Sequence, residues 1–235
     1  GIADTTILNA LNTFDLGLIS NGLDTKMKAL YPFVGGTATT HKFNFMDARD
    51  LDVAFRLQFN GGWTHSSTGA LPNGTNAYAD TKFKPSNSTY TSFTFGYNIN
   101  TNSTGVYAEF GLYDASTNST VYDYPNLDGN GYVKYGFGDL DYVGGNTIAF
   151  HSYTQLSNQL KRFKNGSLIK TFANTPTNLN LTNYTYFISA RNVNGIANQF
   201  SNRKKTFQFM SDALTDAEST TFYNLVQALQ TSLSR

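Results

Sequence analysis

The chain has 235 residues, a formal net charge of +1, only 14% charged residues, 15% aromatics and no cysteine. That length suffices for one full hydrophobic core, while the near-neutral charge, with no basic run longer than Arg203-Lys204-Lys205, excludes the electrostatic footprint of a nucleic-acid binder. No stretch has the apolar length of a membrane helix, no basic-then-apolar leader opens the chain, and the absence of cysteine points to folding in a reducing cytoplasm.

In chain order, Ile7, Leu8, Leu11 and Phe14 recur at helical spacing behind Asp4 and Thr5, which predicts a helix over about 5–15. A second short helical piece is expected from Asp24 to Leu30, ended by Pro32, after which Gly35-Gly36-Thr37 opens a strand-rich region. Alternation then predicts strands at 51–59 (Val53, Phe55, Leu57 and Phe59 inward), 91–97, 106–112 and 133–137, separated by Gly, Asn, Asp and Pro clusters. Residues 146–153 read as a further strand with His151 on its outward face. Asn165-Gly166 between two apolar and basic runs is the strongest hairpin signal. At the end Thr215-x-x-Glu218 has capping-box spacing. It predicts a helix over 215–232 that buries Phe222, Leu225, Val226 and Leu229 and leaves Thr221, Asn224, Gln227 and Gln230 wet.

The succession of a strand pair turning at "NG", then "FISARN" at 187–192, then "ALTDAE" leading into a helix, resembles the laminin-G-like branch of the concanavalin A-like lectin/glucanase superfamily. The resemblance implies an all-β, antiparallel two-sheet jelly-roll sandwich over about 40–215, with short N-terminal helices and one C-terminal amphipathic helix. The expected organisation is a helical lead-in at 1–38 and a jelly roll at 39–235 that carries the helix 215–233. At nearly full length the chain also resembles structural proteins of tailed bacteriophages and prophages, through 26–36 (KMKALYPFVGG), 41–45 (HKFNF), 55–81 and 214–235. That implies a virion component of tail, fibre or capsid surface, with other virion proteins as partners and the virion surface as location. The alternative is a glycan-binding adhesin or receptor-binding module, phage-borne or a free extracellular bacterial lectin, whose partner is a host-surface glycan. A homo-oligomer is compatible with either.

Chemistry-bearing patterns are few. The glucanases of that superfamily carry alternating acidic residues on one strand, so that two carboxylates flank a glycosidic bond about 5 Å apart. The densest acidic group here, Asp47, Asp50 and Asp52, has loop spacing, and no catalytic residue is assigned. None of His41, His65 and His151 stands in a nucleophile-elbow context. Asp128-Gly129-Asn130-Gly131 begins like a calcium loop but has Tyr132 where a third oxygen ligand belongs. Calcium on Asp128 and Asn130 is therefore a weak alternative to having no metal or cofactor. Seven Asn-x-Ser/Thr sequons match what so Asn-, Ser- and Thr-rich a chain yields by chance. The most distinctive stretch, 59–81, holds the single tryptophan among amides and hydroxyls. An aromatic face stacks on the C–H side of a pyranose while amides bond its hydroxyls. The expected ligand rim is accordingly Trp63, His65, Asn73, Asn76 and Tyr78. The competing reading makes Trp63 a plug at one end of the sandwich.

Overall fold

The computed structural model describes residues 2–127, 129–136, 139–143, 147–176, 179 and 182–235, with backbone alone at 127 and 139–143. The described strands form two sheets. The first runs, in spatial order, Ser167–Ala173, Gln159–Lys164, Ala149–Leu156, Ser92–Ile99, Lys205–Ser211, Gly69–Pro72 and Trp63–Ser66, with Met27–Tyr31 also on Lys205–Ser211. The second runs Asp139–Val143, Asn130–Tyr135, Ser119–Leu127, Phe110–Asp114, Phe187–Ile188, Tyr78–Asp80 and Gln58–Asn60. The hairpin Arg191–Val193 and Ile196–Asn198 joins Phe110–Asp114 through a parallel contact. The other named strand pairs are antiparallel. Three α-helices are described: α1 (Thr5–Ser20), the single turn α2 (Ala38–His41) and α3 (Asp216–Ser232).

Period-two alternation builds the inner core. Phe93, Phe95 and Tyr97 face Phe110, Leu112, Val133 and Tyr135 across the sandwich, with Phe95 and Phe110 stacked at 4.7 Å. A second core lies outside the first sheet, where Phe14 and Leu18 of α1 and Phe222, Val226 and Leu229 of α3 cover Phe150, Phe207 and Phe209. The central strands of the first sheet are thus buried on both faces. This explains a departure from expectation at His151, which is 1% exposed beside Tyr97 and bonded through Nε2 to Thr147 O at 3.0 Å. Alternation correctly set it opposite Phe150, but it is Phe150 that points outward, under the helices.

Three other sequence expectations change. Residues 24–30 are not helical: one 3₁₀ turn, Asp24–Lys26, leads into Met27–Tyr31, which pairs with Lys205–Ser211. A distant ladder partner overrides local spacing there, and the sandwich receives strand before Gly35. Of 51–59 only the end is strand. Asp52–Ala54 is a 3₁₀ turn, Phe55 has φ 57° and Val53 is 74% exposed, while Leu57 N donates to Lys42 O at 2.8 Å instead of to a ladder. The 106–112 strand begins only at Phe110, and Val106 is exposed. Phe137, the last residue of the expected 133–137 strand, lies outside the described residues.

Local signals with short-range causes hold. Asn165 and Gly166 have φ 49° and 73°, the positive pair a type I′ turn needs. Thr215 Oγ1 accepts from Glu218 N at 3.2 Å while Glu218 Oε2 accepts from Thr215 N at 2.7 Å. On α3, Phe222, Val226 and Leu229 are buried, but Leu225 is only half-buried beside Gly17. Gln230, expected wet, is buried because its Nε2 donates to Thr206 O and its Oε1 accepts from Arg235 Nε. Leu225→Ala should therefore cost about 1–2 kcal/mol, against about 2–5 for a fully buried leucine. A urea unfolding series reads the difference, and a loss above that range would mean Leu225 closes the second core.

Candidate functional site

The five residues of the expected rim lie where one end of each sheet meets the other. The hairpin Trp63–Ser66/Gly69–Pro72 belongs to the first sheet and the pair Gln58–Asn60/Tyr78–Asp80 to the second. Gly61-Gly62 crosses between them. A Cβ at Gly61, φ 74°, would sit 2.1 Å from Asn76 O, so only glycine allows the crossing.

All five predicted residues lie around this crossing, but they do different work. Trp63 Nε1 donates to Asn60 O at 3.0 Å and to Tyr78 O at 3.3 Å, which ties the two sheets together. Asn73 Oδ1 accepts from the backbone N–H groups of Thr75, Asn76 and Ala77 at 3.0–3.1 Å. Its Nδ2 donates to Asn76 Oδ1 at 2.8 Å, which also accepts from Gly62 N. Asn73 is thus a loop organiser. Asn76 keeps its exposed NH₂ group for other partners. Tyr78 stacks on Phe187 at 4.6 Å, turned away from the tryptophan. Half-buried Trp63 also packs on the inner core, in keeping with the plug reading of its inward side.

What the sequence did not single out is Phe59. Its ring lies 5.2 Å from Trp63 and 4.6 Å from His65, both edge-to-face, and Trp63 and His65 stack at 6.0 Å. Beside Phe59 opens a recess of about 400 Å³, walled by Thr39, Lys42, Arg56 and Gln58. Lys42 and Arg56 are held there by Asp50, at 2.5 and 2.8 Å, and Arg56 also by Asp52 at 2.9 Å. The recess is charge-balanced, and the Lys42 and Arg56 hydrogen bonds keep the Asp50 carboxyl below its ordinary pKa. Asp47 is likewise paired, with Arg49. Alternation in 51–59 concealed this wall, because Arg56 reads as the wet face of a strand and reaches Lys42 only through the fold.

His65 has a second neighbour: its Nδ1 is 2.9 Å from Nδ1 of the buried His41. Burial lowers the pKa of His65, so the pair shares one proton between two neutral rings.

Two carboxylates that sequence spacing did not pair do meet, inside the sandwich. Glu109 and Asp123 are neighbours across the second sheet, but both have zero exposure. Asp128, half of the calcium candidate, lies outside the described residues, and Asn130 is exposed at the start of its strand. Among the described residues no three His, Asp or Glu side chains converge as metal ligands.

No family model and no curated protein matches the chain. Solved structures do. A structure described as showing that cell entry of botulinum neurotoxin type C depends on interaction with two ganglioside molecules shares 11% identity at TM-score 0.62, over 88% of this chain and 53% of that one. Domain 4 of AbnA, an extracellular arabinanase from Geobacillus stearothermophilus in complex with arabinotriose, shares 16% at TM-score 0.54, over 84% and 98%. The NanB sialidase of Streptococcus pneumoniae shares 14% at TM-score 0.53, over 70% of this chain, which spans only 27% of the sialidase. At such identities the likeness concerns the fold, and with the two sheets it makes this chain an all-β jelly-roll sandwich.

Proposed function

We propose that the chain is a non-catalytic carbohydrate-binding module that takes a saccharide across Phe59, Trp63 and His65 and into the adjoining recess. The observation that carries this reading is the aromatic rim itself. Phe59 lines a charge-balanced recess edged by Gln58, and half-buried Trp63 and His65 pack edge-on against Phe59, with exposed Asn76 beyond them. Rings supply the apolar patch a pyranose stacks on, and neutral donors and acceptors match its hydroxyls. The fold likeness to an arabinanase domain in complex with arabinotriose, and to a toxin tied to gangliosides, supports the reading.

The neighbouring carboxylates, Glu109 with Asp123 and Asp50 with Asp52, are poorly placed for catalysis. Glu109 and Asp123 are enclosed, and Asp47, Asp50 and Asp52 are held by cations. The protein incubated with β-glucan or arabinan should release no reducing ends. Turnover lost on replacing Asp50 or Asp52 would contradict this. The virion setting, with other virion proteins as partners, rests on the sequence resemblance alone. In that setting the module supplies the contact with a host-surface glycan, and many copies offset weak binding at each shallow site.

The test is a glycan array followed by calorimetry on the best ligand. Binding should fall at least about tenfold, equivalent to about 1.4 kcal/mol, in both Phe59→Ala and Trp63→Ala. Phe59→Ala is decisive, because Phe59 lacks the two hydrogen bonds by which Trp63 joins the sheets. An empty array, or undiminished binding by a folded Phe59→Ala chain, would leave Trp63 as a plug and the rim without a ligand.

A further inference from the structure

The side chains that wall the recess beside Phe59 carry unpaired hydrogen-bond donors and hardly any unpaired acceptors. Arg56 uses Nε on Asp52 and one Nη1 proton on Asp50, which leaves most of its five N–H groups without a partner among the described residues. Lys42 Nζ likewise gives one of its three protons to Asp50 at 2.5 Å. Gln58 Oε1 accepts from Lys82 Nζ at 2.6 Å, and since an ammonium only donates, what Gln58 has left is its NH₂ group. The hydroxyl on the wall, Thr39 Oγ1, is 3.1 Å from Thr37 Oγ1. Asp50 has both oxygens on the two cations and stands behind them, off the wall.

That asymmetry discriminates among saccharides. A hydroxyl both donates and accepts, so one turned to this wall has a proton with no protein partner, whereas a group that only accepts has no proton to place. A carbonyl and an anion both qualify. The anion is disfavoured, because Lys42 and Arg56 are already matched by Asp50 and Asp52 and a further negative charge finds no cation of its own. A carbonyl joined to a methyl group fits what remains, since Phe59 and Ala38 put apolar wall beside the N–H groups.

We propose that the saccharide carries acetyl groups, as amide or ester, and that one acetyl enters the recess, its carbonyl oxygen accepting from Gln58 and Arg56 N–H groups and its methyl resting on Phe59 and Ala38. The assignment rests on the saccharide reading of the rim and narrows it from sugars at large to acetylated ones. The recess, of about 400 Å³, lies within the range of about 300–1,000 Å³ usual for small-molecule sites. The sugar ring that bears the acetyl then lies toward Trp63 and His65, which flank Phe59 at 5.2 and 4.6 Å.

Calorimetry on the intact chain compares matched pairs: triacetylchitotriose with cellotriose, which has hydroxyls in place of the acetamido groups, and O-acetylated xylotriose with the same xylotriose after mild alkali. The first pair reads an amide and the second an ester. In at least one pair the acetylated member should bind at least about tenfold more tightly, equivalent to about 1.4 kcal/mol. Trigalacturonate, with a carboxylate on every ring, should bind more weakly than that member. Gln58→Leu removes a donor at an exposed position and should lower the preference by about threefold or more with the urea midpoint unchanged, while Phe59→Ala should weaken both members of the pair. No binding by either acetylated probe, equal affinity within both pairs, tighter binding of trigalacturonate, or an undiminished preference in Gln58→Leu would each overturn the acetyl assignment. Where an unacetylated or anionic saccharide binds and Phe59→Ala abolishes that binding, the saccharide reading stands without it; where no saccharide binds at all, both fall.

Discussion

Glu109→Gln should remove most or all of the folding stability of this chain. Glu109 has no exposed surface, and its two oxygens hold two equally buried cations: Oε1 accepts from Arg203 Nη1 at 2.8 Å and Oε2 from Lys205 Nζ at 2.5 Å. Burial alone would raise the Glu109 pKa, yet the Lys205 and Arg203 charges hold it below the carboxylate range. The amide keeps the shape and removes the charge, stranding two cations among Tyr97, Tyr107 and backbone carbonyls. Breaking a buried pair from one side costs about 3–5 kcal/mol, and here two pairs share the carboxylate, against a total stability of about 5–15 kcal/mol. Replacing Glu109, Arg203 and Lys205 together by Met should be far milder, because no unpaired charge remains. Urea unfolding followed by Trp63 fluorescence separates the cases. A Glu109→Gln loss under about 1 kcal/mol would mean that water reaches the cluster.

Acidification should destabilise the chain in a window set by its buried histidines. Burial, then Arg162, pushes His151 down to about 3, and His41 lies at about 3 as well. Between pH 3 and about 6.5 the unfolded chain binds protons at these positions that the folded chain refuses. Their contribution is full above about pH 6.5 and lost as pH falls toward 3, on the order of 4 kcal/mol for His151. Asp123 works in the opposite direction. Burial raises its carboxyl to about 7, so the folded chain holds an extra proton and stability falls as pH rises from about 4 toward 7. With two histidines against one aspartate, stability should rise overall from pH 4 to 6.5. His151→Gln should flatten that rise and Asp123→Asn should steepen it, in urea midpoints taken at half-unit pH steps. An unchanged slope in His151→Gln would show that its ring titrates normally.

Much of this architecture was legible where the cause is local. The Asn165-Gly166 turn needs only two positive φ values, and the Thr215/Glu218 box only one helical turn. Strand 92–99 announces its core face through Phe93, Phe95 and Tyr97. What stayed hidden depends on distant partners. Met27–Tyr31 is a strand only because Lys205–Ser211 lies beside it. Arg203-Lys204-Lys205 stands in the sequence only as the longest basic run, whereas the fold turns its outer members inward onto Glu109. The site divides the same way. Trp63 amid amides stands out in the sequence, but Lys42, Arg56 and the His41–His65 contact come from segments that only the fold joins.

The covering of the first sheet by α1 and α3 together sets an order of events in folding. Phe14 and Phe222 touch across nearly the whole sequence, over a floor of Phe150, Phe207 and Phe209. During synthesis that floor stays only partly covered until α3 emerges, so the sheet cannot be sealed before residues 216–232 are made. Contacts of such sequence separation close slowly, and a partly made chain exposes a strip of phenylalanines that invites association with its neighbours. A chain stopped before Asp216 should therefore accumulate as aggregate even though most of its jelly-roll strands are already present.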